Sequence, residues 1–281
     1  MAEKTIIGII GGTGKMGKWF RRFFEANGCK VLVSGRHTKL QPKELIGKSD
    51  LVIFSVPIGV TVKTIKKYAR FASKGKALAD FTSIKEEPLK AMLSGAKKGV
   101  EVFGMHPVFG PSAAGIKGEV VVLCPARGKK WLNWMKKLLR RKGARVKVCS
   151  AKKHDEMMAV VQGVTHFSTI PTGNALKKLK VGLNESLEFS SPIYKSRMIL
   201  LGRIMAQDPE LYADILLQNK KALKAIRQFM RSAQELERII SRKDRKAFIK
   251  FFKESANYFG AYRNKAQKHS DRLLEKLGEL R

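Results

Sequence analysis

Two groups of residues in this 281-residue chain are suited to chemistry: glycines that can surround a phosphate, and histidines that can transfer a proton. Gly12, Gly14 and Gly17 have the spacing G-x-G-x-x-G and follow a short apolar run. In such loops the glycines permit a tight turn, close approach of a pyrophosphate and close packing of the next helix. That helix also offers free N–H groups to an anion. We therefore predict a dinucleotide site formed by Gly12, Thr13, Gly14, Lys15, Met16 and Gly17.

The residues after the second predicted strand bear on which dinucleotide binds. Proteins that bind NAD usually carry an acidic residue there, which holds the ribose 2′-hydroxyl. This chain has Ser34 and Arg36 instead, and a guanidinium can bind a 2′-phosphate through two hydrogen bonds. We predict NADP as the cofactor, with NAD as the alternative. Val56 and Pro57, at the end of the third strand, complete the predicted cofactor site.

A histidine and a serine follow two further strands of the same region. His106 lies between a strand end and Pro107, and Ser83 lies just after the strand that contains Asp80. Open α/β sheets bind ligands at the carboxyl ends of their strands, so both residues are expected near the cofactor. An imidazole can accept a proton near neutral pH. The position favours His106 as a catalytic base, with a structural histidine as the alternative.

The elements that would position these residues alternate along the first 150 residues. Apolar or β-branched runs predict strands at 5–10, 30–34, 51–56, 77–81, 100–104, 120–123 and 144–148. Helical patterns lie between several of them, including an amphipathic helix that begins near Lys15. This alternation indicates an α/β fold with a doubly wound parallel sheet of Rossmann type. We assign residues 1–150 to an NAD(P)-binding domain.

The pattern changes after Ser150. Glycine becomes rarer, strand-like runs end, and apolar residues such as Leu223, Ile226, Met230 and Phe252 recur at helical spacing. We predict an all-α domain over residues 151–281. Its broad apolar faces suggest burial against a second subunit.

Composition and charge limit the classes of partner. Lys and Arg number 57 against 23 Asp and Glu, which gives a formal net charge of +34. This charge favours anions such as phosphorylated cofactors, polycarboxylates or nucleic acid. In the basic run from Lys129 to Lys147, Trp131 and Trp134 follow a pattern better suited to a core than to base stacking, so specific nucleic-acid binding is not expected. Three cysteines favour a reducing cytoplasm, and no apolar run reaches the length of a membrane span.

The ordered set of motifs resembles the prephenate dehydrogenase family. The resemblance covers nearly the whole chain and rests on the glycine loop, residues 80–85, residues 105–111, residues 154–167 and residues 191–215. It implies a Rossmann domain and a helical domain that forms a homodimer. It also implies oxidative decarboxylation of the dicarboxylate prephenate to 4-hydroxyphenylpyruvate in tyrosine biosynthesis, with hydride transfer to NADP or NAD.

The resemblance also implies roles for single residues. His106 would take the proton of the ring hydroxyl, Ser83 would hold His106 or the substrate, and Arg203 would bind the ring carboxylate. Arg203 lies within a helical apolar pattern, where burial of an unpaired charge would be costly, so an anion or an ion pair is expected beside it. The further expected substrate contacts are Gln162, His166 and Lys195. Lys195 stands where some relatives have arginine, and it lacks the planar guanidinium.

Several alternatives stay open at this point. Arogenate differs from prephenate by an amine in place of the side-chain keto group, so arogenate dehydrogenase is the nearest alternative. A less favoured alternative is that the chain is another NADP-dependent two-domain reductase. His154 is equally compatible with a helix cap and with a link between the two domains. Its distance from His166 in the sequence does not fit a helical metal pair, so no metal site is predicted.

Overall fold

The computed structural model describes residues 5–278. Residues 1–4 of the predicted NAD(P)-binding domain and residues 279–281 of the predicted all-α domain lie outside the described residues. It divides into two compact units. The first contains the residues up to Ala159 together with Ala213–Lys221, and the second contains Val160–Tyr212 and the residues from Ala222 onward. The segment 213–221 belongs to the first unit because its side chains bond there; Asn219 Nδ2, for example, donates to the Asp155 carbonyl at 2.9 Å. A division at residue 150 would place that segment in the second domain.

A seven-stranded sheet forms the centre of the first unit, in the order β2-β1-β3-β4-β5-β6-β7. Its strands are β1 (Ile6–Ile10), β2 (Lys30–Ser34), β3 (Leu51–Phe54), β4 (Ala77–Asp80), β5 (Glu101–Pro107), β6 (Val120–Arg127) and β7 (Arg145–Val148). Each of them overlaps one of the seven predicted strands. β1 pairs with β2 on one side and with β3 on the other, so the chain reverses its direction of winding at β1. The predicted doubly wound sheet is confirmed.

The pairing of β5 with β6 differs from a fully parallel sheet. These two strands are antiparallel, whereas every other neighbouring pair of the described sheet is parallel. The connection over residues 108–119 contains three glycines and a proline, and no helix is assigned within it. Without a crossover helix the chain returns directly beside β5, which gives an antiparallel pair.

Helices cover both faces of the sheet. They are α1 (Lys15–Glu25), α2 (Pro42–Lys48), α3 (Ile58–Tyr68), α4 (Glu86–Gly95), α5 (Lys130–Arg141) and α6 (Ala151–Met158). Phe20 of α1 and Met135 of α5 belong to the core on one face, while Leu45 of α2 and Met92 of α4 belong to the core on the other. Successive strand side chains point to opposite faces, so the central strands are buried on both sides and read as continuous apolar runs.

The second unit contains helices joined by turns, and no strand, over its described residues. A π-helical turn at Ala159–Val164 precedes α7 (Thr165–Lys178), α8 (Leu183–Glu188), α9 (Pro192–Met205), α10 (Pro209–Gln218), α11 (Ala222–Ser241), α12 (Arg245–Phe259) and α13 (Tyr262–Gly278). The last part of α10 belongs to the first unit. Large apolar side chains stay uncovered, including Phe252 at 64% and Leu273 at 63% exposure. The helices of this unit confirm the predicted all-α region. None of the described helices is both long enough and apolar enough to cross a membrane.

Candidate active site

The glycine loop lies between β1 and α1, against the ends of β2 and β3. Gly11 N donates to the Ser34 carbonyl at 2.7 Å. A Cβ atom on Gly11, whose φ is +84°, would lie 2.4 Å from the Ser55 carbonyl oxygen, and one on Gly17 would lie 2.6 Å from Gly12 Cα. These contacts are too short for any other residue. The glycines therefore hold the loop tightly against its neighbours, as the sequence motif predicts.

Several features of this loop fit a dinucleotide. Gly14 directly precedes the first residue of α1, where backbone N–H groups lack partners in the helix. The three glycines admit the close backbone approach that a pyrophosphate needs. At the end of β2, Ser34 Oγ is buried without a hydrogen-bond partner among residues 5–278. Thr13 contacts Gly35, so the loop and the end of β2 meet.

The other predicted cofactor residues surround this loop or follow it. Val56 lies beside Gly11, and Pro57 directly precedes the first residue of α3. Arg36 is exposed in the turn after β2. Lys15 is exposed at the start of α1, while Met16 packs against the core.

His106 is buried near the carboxyl end of β5, with 2% of its surface exposed. Its Nδ1 lies 2.8 Å from Nε2 of His154, and Nδ1 of His154 lies 2.7 Å from Oδ1 of Asp155. Asp155 in turn accepts hydrogen bonds from the backbone N–H groups of Lys85, at 2.8 Å, and Glu86, at 3.0 Å. Two histidines of the first unit and one carboxylate thus form a continuous hydrogen-bonded chain.

Both histidines of this chain favour the neutral form. Burial holds the pKa of His106 well below its ordinary value of 6.5, and His154 and the cation of Lys85 act in the same direction. Burial also lowers the pKa of His154, although its hydrogen bond to Asp155 opposes that shift. Neutral imidazoles are therefore expected at neutral pH, and a neutral imidazole is the form that can act as a base.

A buried ion pair lies next to His106. The ammonium of Lys85 pairs with the carboxylate of Asp80, and both side chains are fully buried. Lys85 Nζ also donates to the Met105 carbonyl at 3.1 Å, and Thr82 N donates to Asp80 at 3.0 Å. These contacts compensate two charges that would otherwise be costly to bury.

Sequence reasoning identified only part of this cluster. Within the described residues, His154 rather than Ser83 lies at hydrogen-bond distance from His106 Nδ1; Ser83 is half-buried after β4. Neither Asp155 nor Lys85 was predicted as a site residue. One signal for Asp155 was available, since it stands beside a histidine in the first helix after the last predicted strand.

The second unit contains the other predicted residues. The ring of His166 meets that of Tyr212 edge to face, with centroids 4.8 Å apart. His166 Nδ1 is buried without a hydrogen-bond partner among the described residues, and burial lowers its pKa. Burial raises the pKa of Tyr212, and the charge of Arg203 opposes this shift. The structure thus brings His166, Arg203 and the unpredicted Tyr212 together.

Gln162 and Lys195 are placed less specifically. Gln162 is half-buried in the π-helical turn, one helical turn before His166, and Lys195 is half-buried in α9. Arg203 is exposed on α9 in the single chain. The expected cost of burying its charge therefore does not arise here, because the apolar face of that helix is itself partly uncovered, with Leu200 at 61% exposure.

Comparisons with known proteins support the same assignment for both parts of the chain. Residues 32–148 match the model for the nucleotide-binding domain of prephenate dehydrogenase, and residues 150–254 match the model for its dimerization domain. A probable arogenate/prephenate dehydrogenase from Methanocaldococcus jannaschii is 40% identical over 298 residues, which covers 98% of this chain and 67% of that protein. The T-protein of Haemophilus influenzae is 34% identical over 276 residues, which covers 97% of this chain and 72% of that protein.

Solved structures show the same fold. Prephenate dehydrogenase from A. aeolicus, in complex with hydroxyphenyl propionate and NAD+, superimposes with a TM-score of 0.74 at 22% identity and covers 91% of this chain and 97% of its own. Synechocystis arogenate dehydrogenase gives a TM-score of 0.71 at 17% identity, with coverage of 92% and 100%. Together with the glycine loop and the buried histidines, these matches lead to one conclusion: the chain belongs to the prephenate dehydrogenase family of NAD(P)-dependent oxidoreductases.

Proposed function

We propose that this protein oxidises and decarboxylates prephenate to 4-hydroxyphenylpyruvate, in the synthesis of tyrosine. The observation that carries the proposal is the neutral, buried His106 at the carboxyl end of β5, in the same unit as the glycine loop. A proton acceptor in that position is what the oxidation of a ring hydroxyl requires. Family membership supplies the substrate class.

In the proposed reaction His106 accepts the proton of the ring hydroxyl while the hydrogen on the same carbon leaves with its electron pair. When bound, the nicotinamide cofactor accepts that hydride. The ring carboxylate departs as CO2, its bonding electrons complete the aromatic ring, and protonated His106 returns the proton to the resulting phenolate oxygen. Proton transfer to a positioned imidazole contributes about 10²–10⁴-fold to the rate of such a step.

The roles of the remaining site residues are part of the proposal. Arg203 would bind the ring carboxylate, because a guanidinium can form two parallel hydrogen bonds with a carboxylate. Its proximity to Tyr212 and His166 supports a polar site in the second unit. The other proposed substrate contacts are Ser83, Gln162 and Lys195.

We infer that NADP is preferred over NAD. No acidic residue follows β2 to hold a ribose 2′-hydroxyl, whereas Ser34 and the exposed Arg36 suit a 2′-phosphate. Relatives of both kinds exist: the Saccharomyces cerevisiae prephenate dehydrogenase is named for NADP(+), and the A. aeolicus structure contains NAD+. Initial rates with each cofactor decide between them, and a higher kcat/KM with NAD would reject this inference.

Arogenate is the alternative substrate, and one observation favours it. The Methanocaldococcus jannaschii relative carries both substrates in its name. The deciding experiment follows the absorbance of the reduced cofactor with prephenate and with arogenate, for wild type and His106→Asn. Oxidation of prephenate that is largely lost in the variant supports the proposal. Oxidation of arogenate alone would reassign the substrate.

We also propose a homodimer through the second unit. Its match to a dimerization domain and its uncovered side chains, such as Phe252, support this assembly. Removal of one central aromatic contact typically costs about 2 kcal/mol of binding or more, so Phe252→Asp should raise the dimer Kd by about 30-fold or more. Analytical ultracentrifugation measures this change, with Leu93→Asp on α4 as a control that should stay dimeric. A monomeric wild type would reject the dimer.

The proposal also includes a location in the cytoplasm and no specific binding of nucleic acid. The three cysteines are free in the structure, which agrees with the reducing cytoplasm that we propose as the location of the protein. We expect no specific binding of nucleic acid, despite the charge of +34.

A further inference from the structure

We propose that His154 and Asp155 are positioning residues that keep the proton of neutral His106 on Nδ1, so that Nε2 is the atom that accepts the substrate proton. This inference rests on the proposed function, because it explains how the base of that reaction is prepared. The hydrogen-bonded chain that carries it lies entirely within the first unit.

The partners of Asp155 set the donor and the acceptor of every hydrogen bond between Asp155, His154 and His106. An ionised carboxylate only accepts hydrogen bonds. Its two oxygens receive the backbone N–H groups of Lys85 and Glu86, at the start of α4. Nδ1 of His154, 2.7 Å from Oδ1, must therefore be the donor of that contact.

His154 is the middle member of this hydrogen-bonded chain. A neutral imidazole carries one N–H, and its other nitrogen is an acceptor. Since Nδ1 of His154 holds the proton, its Nε2 accepts. His106 Nδ1, 2.8 Å away, is then the donor, and the remaining nitrogen of neutral His106 carries no proton. Asp155 thus determines the protonated nitrogen of a residue that it does not touch.

The opposite arrangement is costly in this environment. If His106 carried its proton on Nε2, its Nδ1 lone pair would face the Nε2 lone pair of His154 at 2.8 Å, unless His154 also changed tautomer. That change would point a second lone pair at the Asp155 carboxylate. Both histidines are almost fully buried, so water cannot compensate for the lost hydrogen bonds.

The same chain stabilises His106 after it has gained a proton. The charged groups around it are the cation of Lys85, the carboxylate of Asp80 that pairs with that cation, and the carboxylate of Asp155 beyond His154. Lys85 opposes a second positive charge, while the hydrogen bond through His154 to Asp155 favours it. Asp155 also holds the start of α4, so this anion is anchored independently of any substrate.

Substitutions of Asp155 and His154 test whether these residues fix the tautomer of His106 and whether they stabilise its protonated form. Asp155→Ala removes the acceptor for His154 Nδ1, so neither tautomer of the pair is fixed and the anion that stabilises protonated His106 is lost, with an expected fall in kcat of about 10²–10⁴-fold. His154→Leu removes the acceptor and should cause a similar loss. His154→Gln keeps an acceptor next to His106 and should recover at least about tenfold of that loss. Asp50→Ala is the matched control, since Asp50 also accepts a backbone N–H, from Ile6 at 2.8 Å, but contacts neither histidine.

The decisive measurement is the ¹⁵N spectrum of histidine side chains in the full protein, with the His106 signals assigned through His106→Asn. We expect the Nδ1–H tautomer in wild type and a mixture of the two tautomers in Asp155→Ala. An Nε2–H tautomer in wild type would overturn the proposal, and so would an Asp155→Ala protein with wild-type kcat and an unchanged pH profile.

The two readouts separate this proposal from the proposed function. The spectrum requires no substrate, so it still determines the tautomer of His106 if wild type oxidises neither prephenate nor arogenate. In that case the assignment of the reaction fails, whatever the spectrum shows. If wild type oxidises prephenate but His106 carries its proton on Nε2, the proposed reaction is supported and the proposed role of His154 and Asp155 is rejected.

Discussion

The two units of this protein hold histidines in contrasting surroundings. His106 in the first unit is 2% exposed and hydrogen-bonded to His154. His166 in the second unit is only partly buried, and its Nδ1 lacks a hydrogen-bond partner among the described residues. The first histidine is therefore oriented by the fold of its own unit. The second retains an unused hydrogen-bonding group, as expected of a residue that contacts a ligand.

The cores of the two units differ in the same way. The first unit buries apolar side chains on both faces of its sheet. In the second unit, α7, α8 and α12 bury no residue completely in the single chain, and Phe252 and Leu273 are largely exposed. Burying such side chains contributes about 1.5–3 kcal/mol each, so the second unit gains more from a partner surface than the first.

The largest effect is expected at His106. Replacing it by Asn keeps an N–H donor near the position of Nδ1 but removes the proton acceptor. We expect kcat to fall by about 10²–10⁴-fold, measured by cofactor reduction at saturating substrate. Cofactor affinity, measured by fluorescence titration, should stay within about twofold of wild type if the change affects only proton transfer. A variant with near-normal turnover would show that the buried histidine is structural.

The ion pair beside His106 provides the next largest effect, this time on stability. Lys85→Met leaves the Asp80 carboxylate buried without its cation, which should lower the free energy of unfolding by about 3–5 kcal/mol. Urea denaturation measures the change. The exposed pair of Lys48 and Glu44 is the control, and Lys48→Met should change stability by less than about 1 kcal/mol. Equal effects of the two substitutions would contradict the importance of burial.

A smaller effect is expected in the second unit. A hydrogen bond to a charged group contributes about 1.5–3 kcal/mol, so Arg203→Gln should raise the substrate KM by about 10- to 100-fold. We expect a smaller change in kcat, because the proton acceptor lies in the first unit. Arg197→Gln, on the same helix, is the control and should retain the wild-type KM. An unchanged KM for Arg203→Gln would remove this residue from the substrate site.

The smallest effect concerns the pH dependence of stability. Because the folded-state pKa of His106 lies below its ordinary value of 6.5, the unfolded chain binds more protons in the interval between the two values. The contribution to stability is complete above pH 6.5 and declines as the pH falls through that interval. His106→Asn removes this contribution, so urea denaturation at several pH values should show a flatter decline. An unchanged decline in His106→Asn would contradict this assignment.

The strands and the glycine loop were predictable because their signals are local. Each strand of the first unit overlaps a predicted apolar run, and residues 12–17 form the tight turn and the start of α1 that their glycine spacing indicates. The antiparallel direction of β6 was not predicted. That direction depends on the path of residues 108–119, which carry no periodic pattern.

Residue type and spacing were thus sufficient to predict the order of the elements, the place of the glycine loop and the position of His106 near the end of a strand. Only the folded chain revealed the partners of His106, because His154 lies 48 residues away and Asp155 reaches Lys85 across 70 residues. Local sequence patterns do not predict contacts between residues so far apart in the chain. Packing of α6 and α4 on the sheet brings these groups together, and their shared burial lowers the pKa values of both histidines.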